Sequence, residues 1–247
     1  MLNNFSLTNI YEKPSKKSKL SSQMLYGEKF RIIHKKSKWL KIKTNYDNYI
    51  GFIRSKKFVD DFKPNYKVSS LKSKIFFKKK NRFQKSNQFL YFGSRILVKN
   101  QNKAFVEFEK NKWIKKKDIS KIFHYERNFD KIFKLFLNVK YLWGGKSANG
   151  IDCSSLLQIY FFYNRIFFPR DTKDQIQFYK KKLIKNFRKG NIIFWKGHVA
   201  ICLNKSKLIH AYGPEKKVLV MDINSTIKLI KKTATLPVKK ICNFQKS

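Results

Sequence analysis

Over residues 1–120, apolar side chains alternate with polar ones in short runs, and each run ends in a cluster of Gly, Asn or Lys. Alternation at period two puts one face of a strand in a core and the other in water, so the pattern predicts strands rather than helices. The runs fall into two diverged copies of one unit. The first reads Leu25-Tyr26-Gly27-Glu28-Lys29-Phe30-Arg31-Ile32-Ile33, then Trp39-Leu40-Lys41-Ile42, then Tyr49-Ile50-Gly51-Phe52-Ile53. The second reads Leu90-Tyr91-Phe92-Gly93-Ser94-Arg95-Ile96-Leu97-Val98, then Phe105-Val106-Glu107-Phe108, then Trp113-Ile114. Matching positions lie 64–66 residues apart, which predicts two small β-barrels over 1–62 and 63–120.

The pattern changes after a linker expected from Asp118 to His124. Phe129, Ile132, Phe133 and Phe136 recur at helical spacing, and a glycine-rich turn follows. Residues 151–162 read as a central helix with Asp152 as its N-cap and Leu156, Leu157, Tyr160 and Phe161 as its buried stripe. Pro169 stops that region, and a polar-capped helix is expected to start around Arg170 and Asp171. From Gly190 the pattern returns to strands, at 191–195, 198–203, 207–212 and 218–220. Helices followed by antiparallel hairpins make 121–247 a third, α+β unit.

The chain has 247 residues, 57 Lys and Arg against 15 Asp and Glu, and a formal net charge of +42. Such a charge attracts polyanions. The lysines are nevertheless spread along the whole chain beside abundant Asn, Ile, Phe and Tyr, and no arginine stripe, zinc-finger spacing or RNA-binding aromatic motif accompanies them. Compositional drift therefore explains the charge better, and nucleic acid is not the expected partner. The first ten residues lack the features of a secretory signal, and no apolar run approaches the roughly 18 residues of a membrane span. Three scattered cysteines, Cys153, Cys202 and Cys242, form no disulfide framework. The expectation is a cytoplasmic protein with no membrane partner and an unknown oligomeric state.

Candidate chemistry concentrates at Cys153. A thiol at the start of a helix feels the positive end of the dipole, which favours thiolate and suits a nucleophile. His198 and His210 lie on the two strands of an expected hairpin. With a three-residue loop at 203–205, His198 stands directly opposite His210. A register slipped by two leaves them as diagonal neighbours about 7–8 Å apart at Cα. Either way one ring can act as base and the other can orient it. Cys202 has no helix terminus and reads as core. No close-spaced ligand pairs support a zinc site, and no metal or cofactor is expected.

Taken together, Tyr141-x-Trp143-Gly144-Gly145-x-Ser147-x-x-Gly150-x-Asp152-Cys153-Ser154, Pro169-Arg170-Asp171 with Gln175, Gly197-His198-Val199 and Ile209-His210-Ala211 resemble the NlpC/P60 cysteine peptidases. The likeness covers about residues 121–220. With the two copies resembling bacterial SH3 domains it extends to nearly the whole chain, and it implies two SH3-like barrels ahead of a papain-like domain of helices packed on an antiparallel sheet. The resemblance makes Cys153 the nucleophile, His198 the base and His210 the orienting residue. It places Tyr141, Trp143, Asp152, Ser154, Asp171 and Thr172 at the substrate, with Asp171 meeting a free amine. Glu28 and Tyr49 are the candidates from the first SH3-like copy to close the pocket. Ser155 departs from the family's usual Gly.

The resemblance implies hydrolysis of the γ-D-glutamyl-L-diamino acid bond in free murein peptides with an unblocked N-terminal L-Ala, as in cell-wall peptide recycling. Hydrolysis of intact peptidoglycan stems is the alternative within the same chemistry. An inactive anion- or nucleic-acid-binding protein is the alternative of another class.

Overall fold

The computed structural model describes residues 1–80, 82–179 and 186–244; the expected end of the third unit, 245–247, lies outside the described residues. In the first unit five antiparallel strands pair in the order Leu20–Leu25, Leu7–Tyr11, Ile50–Arg54, Trp39–Thr44, Phe30–Lys36. Among the described residues this order is open rather than circular, and the enclosure comes from side chains: Ile10, Met24, Phe30, Leu40, Ile42, Ile53 and Phe58 form one buried cluster. The second unit pairs Asn100–Gln101, Phe105–Glu109, Lys112–Lys115, Lys72–Lys79 and Arg82–Tyr91 in that order. The internal repeat is visible in matching local geometry. Trp39 and Phe105 each open a strand, and Gly27 and Gly93 sit at φ +81° and +85° in equivalent turns.

One expectation about the junction changes. The segment read as a linker from Asp118 begins with a strand, Ile119–Lys121, which pairs back onto Tyr66–Val68 of the second unit. Three residues are too few for period-two alternation to register in a sequence.

The third unit opens with helix α1 (Phe129–Leu135), capped by the Asn128 side chain, which accepts the Asp130 N–H. Helix α2 (Cys153–Tyr163) is buried along all eleven residues, because both of its flanks are covered. One flank packs with Ile192, Phe194, Val199, Ile201, Ile209 and Ala211 of a five-stranded antiparallel sheet. That sheet runs Lys217–Asp222, Lys207–Tyr212, His198–Cys202, Asn191–Trp195, Lys240–Asn243. Its opposite face, carrying Ile193, Trp195, Ala200, Cys202, Leu208 and Tyr212, is covered by Ile223 and Ile230 of a C-terminal helix, Ile223–Ala234. Helix α3 (Thr172–Phe178) packs on the α2 side, tied to α2 where the Gln175 amide donates to the Ser154 carbonyl at 2.9 Å.

Both strand-rich units are docked on α2. Lys146, in the glycine-rich turn, is buried and places its ammonium 3.0 Å from both carboxylate oxygens of Glu28 and 4.3 Å from the Phe162 ring centre. The Gln158 amide donates to Asp47 at 2.8 Å. From the second unit, the Lys67 ammonium caps the end of α2 by donating to the Tyr163 carbonyl at 2.6 Å. Burial holds that ammonium at a pKa of about 8, well below an ordinary lysine. The front end of α2 is thereby fixed against the first unit. No helix among the described residues is long and apolar enough to cross a membrane.

Candidate active site

Asp152 is the N-cap of α2, as the sequence predicts, and its carboxylate is a hub. It accepts the N–H of Ser155 at 2.8 Å, the N–H of Gly144 at 2.8 Å and the hydroxyl of Ser154 at 3.1 Å. It also accepts both arms of the Arg170 guanidinium, at 3.1 and 2.7 Å. Gly144 has φ +74°, and a Cβ there would come within 2.6 Å of the Leu20 carbonyl, so only glycine lets this turn lie against the first unit. Arg170 carries the connection further, donating to the Ser154 hydroxyl at 2.8 Å and across the domain junction to the Ser22 hydroxyl at 3.1 Å. Burial opposes the guanidinium charge, but the Asp152 carboxylate outweighs it and holds the pKa above its ordinary value.

Cys153 is the first residue of α2 and is 6% exposed. Its sulfur lies 3.9 Å from the Gly197 carbonyl and within hydrogen-bonding range of the Val199 N–H and the Thr172 hydroxyl. The thiol therefore rests against the backbone on both sides of His198. The ionisation expected from the helix dipole is overturned: burial, reinforced by the Asp152 charge, pushes the thiol up to about 12. Burial also lowers His198 to about 4 and His210 well below its ordinary value, the latter with a contribution from His198. Burial thus favours the neutral form of the thiol and of both imidazoles.

The two histidines meet through the slipped register. The hairpin closes where the Leu203 N–H donates to the Lys207 carbonyl, and the Asn204 side chain accepts from the N–H groups of Ser206 and Lys207. This moves the three-residue loop to 204–206, pairs Ile201 with Ile209, and replaces direct opposition of His198 and His210 with a diagonal. Their rings still touch, with His198 Nε2 2.9 Å from His210 Nδ1. Tyr212 stacks on His210 at 4.8 Å, and Trp195 lies 5.5 Å from His198.

A cavity of about 300 Å³ opens on the thiol. Of the residues singled out from sequence, Tyr49, Tyr141, Trp143, Asp152, Cys153, Ser154, Asp171 and Thr172 line it. Trp143 stands 61% exposed on its wall. His198 directly follows the lining Gly197, and His210 is buried behind it. Glu28 is not on the wall: it is 3% exposed, held by Lys146 and by the Leu25 N–H, so its carboxylate serves the domain junction. The carboxylate that the first unit does present is Glu12, with Ser21 beside it. Sequence reasoning missed Glu12 because it follows the strand Leu7–Tyr11, upstream of the repeat that was recognised. Arg170 was in the quoted motif, but nothing in sequence spacing announces a buried guanidinium. Ser155 is fully buried; its N–H serves the Asp152 cap while its hydroxyl has no partner among the described residues. Among the described residues, no group of three or more His, Cys, Asp or Glu is arranged to hold a metal ion.

The lowered imidazole makes stability depend on pH. The unfolded chain protonates His198 below about 6.5, whereas the folded chain resists until about 4. Between those values the unfolded state binds more protons, so this contribution to stability falls as the pH drops through the window. For His198 alone the loss is on the order of 3 kcal/mol. Urea unfolding at pH 7 and pH 4.5 should show a smaller difference in His198→Gln than in the parent; equal differences would refute the assignment.

Residues 138–235 match the NlpC/P60 family, and residues 10–58 match the bacterial dipeptidyl-peptidase Sh3 domain. Dipeptidyl-peptidase 6 of Lysinibacillus sphaericus is 25% identical over 87% of this chain and 89% of its own length. Gamma-D-glutamyl-L-lysine dipeptidyl-peptidase of Bacillus cereus is 24% identical over 84% and 72%. The crystal structure of an NlpC/P60 family protein from Bacillus cereus ATCC 10987 shares the fold with a TM-score of 0.78 at 18% identity, over 90% of this chain and 94% of that one. With a thiol at the start of α2 and two paired imidazoles on the neighbouring sheet, these matches give the chain an NlpC/P60 domain over residues 138–235, preceded by a bacterial SH3 domain over 10–58, and make it a cysteine peptidase.

Proposed function

We propose that the protein hydrolyses the γ-D-glutamyl-L-diamino acid bond of free murein peptides whose N-terminal L-Ala is unblocked, in cell-wall peptide recycling. The observation that carries this reading is the placement of acidic groups. Only 15 residues in a chain of net charge +42 are acidic, yet Glu12, Asp152 and Asp171 line one cavity. Asp152 is neutralised by Arg170, which leaves Asp171 and Glu12 for a ligand. Asp171 stands at the start of α3 without accepting a capping hydrogen bond, and burial raises its pKa, so a ligand cation beside it would favour the carboxylate form. A terminal ammonium has that chemistry; a glycan-linked or acylated amine does not. The name of the Bacillus cereus relative supports the same bond.

In this reading the Cys153 sulfur attacks the γ-carbonyl of D-Glu as its proton passes to His198. The N–H of Cys153, at the first position of α2 where no intrahelical partner exists, faces the developing oxyanion. His198 then gives the proton to the leaving amine of the diamino acid, and water releases the acyl group with His198 again as base. The test compares L-Ala-γ-D-Glu-L-Lys with its N-acetylated form. The free peptide should be cut at least tenfold faster, since acetylation removes a charge-assisted contact to a carboxylate. Equal rates would overturn the requirement for a free amine, and cleavage of purified sacculi at comparable rates would favour intact stems as substrate.

A further inference from the structure

The imidazole pair continues to a third group that the proposed chemistry does not use. On the strand Lys217–Asp222, Met221 places its sulfur 3.2 Å from Nε2 of His210, the nitrogen remote from His198. We propose that Met221 is a positioning residue: its thioether accepts the Nε2–H of His210, and this contact fixes the protonation of both rings so that Nδ1 of His198 is left bare.

The deduction runs outward from the sulfur. A thioether has lone pairs and no hydrogen, so it can only accept. The nitrogen facing it must therefore carry the proton. His210 is 1% exposed among apolar and aromatic groups, and burial keeps it neutral, so its other nitrogen, Nδ1, is bare. That nitrogen is 2.9 Å from Nε2 of His198, which must then be the donor. A neutral His198 with its proton on Nε2 has a bare Nδ1, the nitrogen left able to accept a proton when His198 acts as the base. The opposite assignment would put a bare nitrogen against sulfur and an N–H on Nδ1 of His198, leaving that ring no free acceptor. Tyr212 stacks on His210 at an interplanar angle of 8° and Trp195 packs against His198, so each imidazole is held in a fixed orientation. The inference rests on His198 serving as the base, but the protonation pattern is a property of the resting protein.

Nitrogen-15 spectra of histidine-labelled protein distinguish a protonated from a bare ring nitrogen without substrate. Wild type is expected to show Nε2–H on both His198 and His210. Met221→Leu keeps the volume and removes the acceptor. It should mix the two patterns and lower kcat about tenfold with KM little changed, the effect of one modest hydrogen bond. Met221→Gln restores an acceptor oxygen and should recover both the spectrum and most of kcat. A proton on Nδ1 of His198 in wild type, or a leucine variant with unchanged spectrum and kcat, overturns the proposal. So does a glutamine variant no better than the leucine one. If the spectra behave as expected while wild type cuts no murein peptide, the role of Met221 in setting the rings stands and the proposed substrate falls.

Discussion

Cys153→Ala is expected to remove peptide hydrolysis, with a loss on the order of 10⁴-fold or more, and to leave the fold intact. The size follows from what else the cavity offers. Its hydroxyls are those of Ser21, Ser154, Thr172, Tyr49 and Tyr141, and none of them stands at the first position of α2 against the Gly197 carbonyl that leads into His198, as the thiol does. Ser154 is additionally held by Asp152 and Arg170, and burial raises the pKa of both tyrosines. A serine at position 153 should be nearly as inactive, because its oxygen is far less nucleophilic than sulfur at the same proton cost. Structural loss should be small: one sulfur at a helix start, worth about 1 kcal/mol. Cys202 and Cys242 are buried on opposite faces of the sheet, so alanine at either should leave the rate within a few fold. Circular dichroism and a steady-state assay of the three variants decide the matter. Cys153→Ala retaining a tenth of the parental rate would remove the thiol from the mechanism.

How much of this was legible in the sequence depends on which interactions are local. Asp152 as cap, α2 behind it and the strand Lys207–Tyr212 follow from neighbours within four residues, and the pattern placed them closely. Of the two registers expected, the hairpin takes the one slipped by two, because the Asn204 side chain, not the apolar count, decides where the loop begins. The helix Ile223–Ala234 escaped notice because Ile223, Ile227 and Ile230 form a narrow apolar stripe among lysines, which reads as a solvated tail until a sheet face is there to cover. Glu28 looked like a pocket residue because its ion pair with Lys146 spans 118 positions, and no local pattern reports such a pair. The ionisation of Cys153 failed for a related reason. A dipole is a local feature, whereas the burial that outweighs it depends on segments far along the chain, such as those carrying Thr172 and Val199.

The largest stability effect should come from Arg170, which no local signal singled out. Arg170→Met removes a guanidinium that is 3% exposed and leaves the Asp152 carboxylate, itself 6% exposed, without its countercharge. Breaking a buried pair from one side costs about 3–5 kcal/mol, a large share of the 5–15 kcal/mol that holds a typical domain. The damage also reaches function, since Asp152 caps the helix that carries Cys153 and Ser22 loses its bond across the domain junction. Lysine is not a substitute: a single ammonium cannot reach both oxygens of Asp152, the Ser154 hydroxyl and Ser22 together. Adding Asp152→Asn to Arg170→Met removes the stranded charge, so the double variant should be less destabilised than the two single costs combined, with a coupling of 1 kcal/mol or more. Urea unfolding of the four proteins at pH 7 measures this directly. If Arg170→Met unfolds within about 1 kcal/mol of the parent, or the two substitutions simply add, the Arg170–Asp152 pair does not hold the front of the catalytic helix.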